Sequence, residues 1–194
     1  MVLTKQRYTF EQWLEMPDDG RRYELLNGEL VEMAPPTANH ALLAGAVYAW
    51  LLRARAGDYG TALVGPVAVL LDADMRRENA PEPDVLFVRR AREHIITAVA
   101  VEGVPDLVFE ILSPSNRRDN LPRGTKWDLY EGHGVPEYVI VDPEARTVTQ
   151  YTHQGNRYGA AVLWREGDVL VSPLFPGVAL SIADLFGEMR PPRR

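Results

Sequence analysis

Two carboxylates and one ammonium occupy positions that an apolar framework tolerates only for a reason. Glu110 lies between Phe109 and Ile111 in the run "DLVFEIL" (106–112), where a buried carboxylate costs several kcal/mol unless it is paired or bound to a metal. Asp84 follows Pro83 and opens a second apolar run, "DVLFV" (84–88). Strand alternation puts Glu110 on one face with Val108 and Leu112. If the two runs are neighbouring strands, the carboxylates converge, and two partly desolvated carboxylates repel unless a cation holds both. Their oxygens, a backbone carbonyl such as that of Ile111 and several waters suit Mg²⁺ or Mn²⁺. Such an ion lowers the pKa of a bound water and offsets charge on a phosphoryl oxygen, which is the chemistry of metal-assisted phosphodiester hydrolysis.

That chemistry also wants a cationic group to orient the water or meet charge on phosphorus. Lys126 is the candidate, near the start of a helix that must pack back on the Glu110 strand. Of the chain's 21 basic residues only Lys5 and Lys126 are lysine. An ammonium approaches a nucleophile as a point charge with rotatable donors, which arginine's planar fork does not reproduce. The competing assignments are a buried salt bridge from Glu110 to an arginine, a solvated Lys126, and a simple Pro-Asp turn at Asp84. Tyr130, four residues after Lys126, is expected to pack and fix that helix. Arg117, Arg118 and Arg123 are candidate phosphate contacts, which a solvated loop explains equally well.

The elements that would position these groups are legible in outline. Thr9 and Gln12 have capping-box spacing and start a short helix. Asn27-Gly28 between apolar segments predicts a hairpin with a type I′ turn. Asn39 is placed to cap a helix over about 40–56, whose nearly all-round apolar surface predicts deep burial. "TALVGPVAVLL" (61–71) predicts a strand broken at Gly65-Pro66, and "DVLFV" and "DLVFEIL" two more, the last followed by the turn-rich loop "SPSNRRDNLPRG". A helix over about 125–133, the strand "EYVIV" (137–141), a turn at Asp142-Pro143, a hairpin from "TVTQYTH" and "YGAAVLW", and a helix capped by Ser181 complete the chain. Interleaved helices and strands with early and late hairpins predict an α/β or α+β fold, a mixed sheet flanked by helices. We expect one domain over residues 1–188 and a disordered tail from 189.

Composition narrows the chemistry. The net charge is −6, so no global basic field draws the chain to nucleic acid or to an anionic membrane. Absence of cysteine excludes disulfides and thiolate chemistry. Neither a phosphate-binding glycine loop nor a nucleophile elbow nor a zinc-type histidine pair occurs. No segment has the length and apolarity of a membrane span or signal peptide, so the expected location is the cytoplasm.

Asp84, Glu110 and Lys126 together resemble the PD-(D/E)XK restriction-endonuclease-like superfamily. The segments "RRYELLNGELVEM", "PEPDVLFV", "PDLVFEILSPSN" and "KWDLYEGHGVPEYVIVDP", with His40, resemble the Uma-type endonuclease family over about residues 8–185. This resemblance implies a restriction-endonuclease-like fold and a divalent-metal site at Asp84 and Glu110, with Glu24 and His40 near it. Leu112 stands where the superfamily's usual lysine would be, so the chemistry requires Lys126 to reach Glu110 from the helix. The expected function is a Mg²⁺- or Mn²⁺-dependent nuclease acting on nucleic acid, DNA foremost, as a homodimer. The alternatives are a binding module that kept the fold without the chemistry, and a metal hydrolase of a small phosphorylated ligand.

Overall fold

A computed structural model describes residues 6–56, 58–73 and 75–191. The chain opens with α1 (Phe10–Leu14), started by the reciprocal Thr9–Gln12 capping box. Strands β1 (Arg22–Leu26) and β2 (Glu29–Met33) form an antiparallel hairpin, and its turn residues Asn27 and Gly28 have φ of 51° and 75°. That pair of positive φ values is what a type I′ turn demands.

Helix α2 (Ala38–Ala56) follows. Its cap is Thr37, whose Oγ1 accepts from His40 N at 3.2 Å, not Asn39. The Asn39 amide sits inside the helix and clamps the backbone of Arg190 through two hydrogen bonds, at 2.7 and 2.9 Å. Nor is α2 buried all round. Leu43, Val47, Trp50 and Leu51 face the core, while Ala41, Gly45 and Leu52 are exposed. Small residues let an apolar helix show one side to water at little cost.

Strands β3 (Gly60–Val64), β4 (Val69–Leu70) and β5 (Val85–Arg89), a 3₁₀ turn at Arg90–Ile95, and strands β6 (Val101–Glu102) and β7 (Leu107–Ile111) come next. Between β7 and β8 (Glu137–Asp142) the chain crosses over through α3 (Arg117–Asn120) and α4 (Thr125–Gly132). The segment expected as a loop thus holds one helical turn, α3. Strands β9 (Thr147–Thr152) and β10 (Val162–Arg165) form the expected late hairpin, and β11 (Val169–Val171), β12 (Ala179–Ser181) and α5 (Ile182–Gly187) end the fold. Ser181 caps α5 by accepting from Asp184 N.

The central sheet has six strands in the order β10-β9-β8-β7-β5-β3, with only β7 and β8 parallel. Three two-stranded sheets surround it: the β1–β2 hairpin, β4 with β6, and β11 with β12. One face buries Val85, Phe87, Phe109 and Ile111 against α2 and α5. The other buries Leu86, Val108, Leu112 and Ile140 against Trp127, Leu129 and Tyr130 of α4. Met189 N and Arg190 N are hydrogen-bonded to Phe186 O and Asn39 Oδ1; residues 192–194 of the expected tail lie outside the described residues.

Candidate active site

The β5–β7 ladder sets the site. Its last paired residues are Val85 and Phe109, after which the strands part. Instead of continuing the ladder, the Asp84 side chain accepts the Ile111 N–H on Oδ2 at 2.6 Å. A carboxylate on a backbone N–H makes a short, strong bond, and this one pins Asp84 beside the end of β7. The Ile111 carbonyl accepts from Asn116 Nδ2 at 3.1 Å. Glu110, one residue back along β7, points to the α4 face.

Helix α4 is brought there by a tight junction. Gly124 is its N-cap, and a Cβ at that position would overlap the carbonyl oxygens of Arg118 and Asp119. The first turn then carries Lys126 under the sheet, where it is 2 % exposed. Its Nζ lies 2.6 Å from Glu110 Oε1, 3.1 Å from Glu24 Oε2 and 3.4 Å from the carbonyl of Glu82. Glu24 comes from β1 and is itself held by Glu82 N at 3.1 Å. At the other side of the group, His40 Nε2 sits 3.2 Å from Asp84 Oδ1, both side chains half-buried. The structure therefore gathers Asp84, Glu110, Lys126, Glu24, His40 and the Ile111 carbonyl in one place.

Residues that the sequence reading did not assign to the site complete it. Tyr130, expected only to pack, donates its hydroxyl to Glu110 Oε1 at 2.7 Å, and Asn120 Nδ2 lies 3.5 Å from Oε2. Arg22 pairs with Glu82 at 2.8 Å on the rim. Spacing along the chain gave no sign of Asn120, which belongs to the unforeseen α3. Glu82 stood inside the quoted "PEPD" but two residues from the acid that drew notice.

The acids of this group outnumber its lysine. Glu24, Asp84 and Glu110 all act on one ammonium. Burial pushes Glu110 up to about 8, with Lys126 opposing and the Asp84 and Glu24 charges adding to the rise. Lys126 is raised well above the ordinary lysine range: burial works against its charge, and Glu110 and Glu24 outweigh that. His40 is also raised, since Asp84, Glu110 and the Ile111 backbone overcome its burial. Among the described residues no three His, Cys, Asp or Glu side chains form a ready metal cluster. The residues nonetheless fit a hard dication, because the donors are carboxylate and carbonyl oxygens.

The site floors a cleft of about 990 Å³, walled by the β1–β2 hairpin, residues 34–37, the start of α2 and the 112–117 segment. Seven acidic residues line it against Arg22, Arg117 and Lys126. Arg117 is taken up by Asp142, at 2.8 and 3.0 Å, and by Glu144 at 3.2 Å. Arg118 and Arg123 are exposed and lie outside the cleft lining. The three arginines named from the sequence thus offer no basic track along the floor.

A family model described as "Putative restriction endonuclease", Uma2, matches residues 9–183, and the chain belongs to that family. Among solved structures, the chain is similar to a putative nuclease belonging to DUF820 from Anabaena variabilis ATCC 29413. The TM-score is 0.75 at 18 % identity, covering 93 % of this chain and 98 % of that one. At that identity the likeness establishes the fold. No curated protein matches the chain. Among the described residues no helix is long and apolar enough to cross a membrane.

Proposed function

We propose that the chain is a divalent-metal-dependent nuclease that hydrolyses phosphodiester bonds of nucleic acid, DNA foremost. The observation that carries this reading is the meeting of Lys126 with Glu110 at 2.6 Å, beside Asp84, on the floor of an open cleft. Leu112 occupies the position of the superfamily's usual lysine, and α4 supplies an ammonium to the same acid by another route.

Asp84, Glu110 and the Ile111 carbonyl would hold the ion, which supplies a water of lowered pKa and offsets phosphoryl charge. Lys126 donates from a buried position, where a charge acts on a reacting group more strongly than it would in water. Glu24 is a second carboxylate partner for Lys126, at 3.1 Å. His40 holds Asp84 Oδ1 while the Ile111 N–H holds Oδ2. With so acidic a lining, phosphates approach favourably only when cations accompany them. Cutting both strands of a duplex calls for two such sites, so a homodimer is part of the proposal; sedimentation showing only monomer with and without duplex removes that part.

A cleavage assay with Mg²⁺ or Mn²⁺ on single- and double-stranded substrates tests the reading. The wild type should cut, and Glu110→Gln should cut at least about 100-fold more slowly, the scale of losing one group that stabilises transition-state charge. A wild type inert with both ions would leave the binding module of the same fold, a reading favoured by the closed Lys126–Glu110–Tyr130 contact.

A further inference from the structure

Lys126 and Tyr130 are four residues apart on α4 and so lie on one face of it. Both end on the same atom: Lys126 Nζ at 2.6 Å and the Tyr130 hydroxyl at 2.7 Å from Glu110 Oε1. Among the described residues, the other oxygen, Oε2, has one hydrogen-bond partner, Asn120 Nδ2 at the long distance of 3.5 Å. The two oxygens of one buried carboxylate are therefore treated unequally.

We propose that Tyr130 is a positioning residue: with Lys126 it fixes Oε1 to α4 and so sets the plane of the carboxylate that would hold the divalent cation. The inference rests on the metal-dependent reading above and adds a residue that acts through Glu110. Tyr130 is fully buried and packs beside Tyr138, at 5.1 Å between ring centroids, so its hydroxyl has little freedom to wander. Lysine alone would leave the carboxylate free to turn about its last bond, a broad two-fold torsion, whereas two donors arriving from one helix face hold its plane. A group that orients a metal ligand typically changes metal affinity 10- to 100-fold when removed.

Tyr138 supplies the control. It is as buried as Tyr130 and its hydroxyl also makes one hydrogen bond, but to the Asn120 carbonyl at 3.0 Å, without touching Glu110. Both hydroxyls can be removed without changing ring shape, by Tyr130→Phe and Tyr138→Phe. Calorimetric titration of Mn²⁺ alone into wild type and both variants, with thermal melts of the metal-free proteins to confirm folding, reads the difference without an activity assay. Tyr130→Phe should bind Mn²⁺ about tenfold more weakly and Tyr138→Phe within about twofold of wild type, though both lose a buried hydrogen bond. Wild-type affinity in Tyr130→Phe overturns the proposal, as does equal weakening in both variants, which would reduce Tyr130 to packing. A wild type that binds no Mn²⁺ removes the metal reading itself and the positioning role with it, and that failure is visible in the wild-type titration alone.

Discussion

Glu110 and Glu137 set the fold the same problem and receive different answers. They stand on the two parallel strands β7 and β8, toward opposite ends of their ladder, where Glu110 pairs with Ile140 and Glu137 with Leu107. Each is 1 % exposed, and burial raises the pKa of each. Glu137 is met by neutral donors: Ser172 Oγ at 2.6 Å and Gln150 Nε2 at 2.5 Å. Gln150 is steadied in turn by Trp164 Nε1 at 3.0 Å. Glu110 is met by an ammonium, shares it with Glu24, and opens on the cleft. Burial of an acid therefore does not mark a functional site. What separates the two is partner and place: the Glu137 network is closed and its donors neutral, whereas Glu110 shares one lysine with a second acid and lines a cleft.

Removing the cation should expose that difference most strongly. Lys126→Met leaves Glu110 and Glu24 buried without a counter-charge, and such a loss costs about 3–5 kcal/mol. Urea unfolding should show a fall of that order, together with loss of cleavage. A change under about 1 kcal/mol would mean that Glu110 is protonated and indifferent to its neighbour.

The same operation on the other glutamate should be milder and confined to stability. Ser172→Ala removes one of two neutral donors from Glu137, a loss of about 1–3 kcal/mol for an under-satisfied buried acceptor. Metal binding and cleavage should be unchanged. Loss of Mn²⁺ affinity in Ser172→Ala would dissolve the distinction between the two regions.

These two glutamates also show how far sequence could reach. Local chemistry was legible: the Thr9 capping box, the Asn27-Gly28 turn and the Ser181 cap depend on residues within a few positions of one another. Glu110 drew notice because it interrupts an apolar run. Glu137 did not, since it begins its strand after Pro136 and looks like a polar strand end, although β11 and β12 bring Ser172 over it. Neither that small sheet nor the β4–β6 pair has a local signature, because each consists of two or three residues stabilised by distant chain. Asn39 was a sound cap by type, yet Thr37 took the role because the Asn39 amide holds Arg190, 151 residues away. Tyr130 was legible as a packing residue from its spacing, whereas its hydrogen bond to Glu110 depends on how α3 and Gly124 set the depth of α4.

The smallest effect expected is in pH dependence. Burial disfavours the Glu137 carboxylate more than Ser172 and Gln150 favour it, so its folded pKa lies above the ordinary 4.5. The folded chain then binds this proton more tightly than the unfolded chain, and stability from this group is full below 4.5 and lost as pH rises through the folded value. The wild type should therefore lose stability relative to Glu137→Gln between pH 4.5 and neutrality, read as diverging urea midpoints. A flat difference would show that Glu137 titrates as an ordinary glutamate.

The most direct test of the central claim is calorimetric titration of Mn²⁺ into wild type, Glu110→Gln and Glu137→Gln, all confirmed folded. Binding in wild type and Glu137→Gln with none in Glu110→Gln is the predicted result, and assigns the metal to the charged group at the cleft. Equal binding in all three, or none in the wild type, would contradict it and leave Glu110 a structural ion pair like any other.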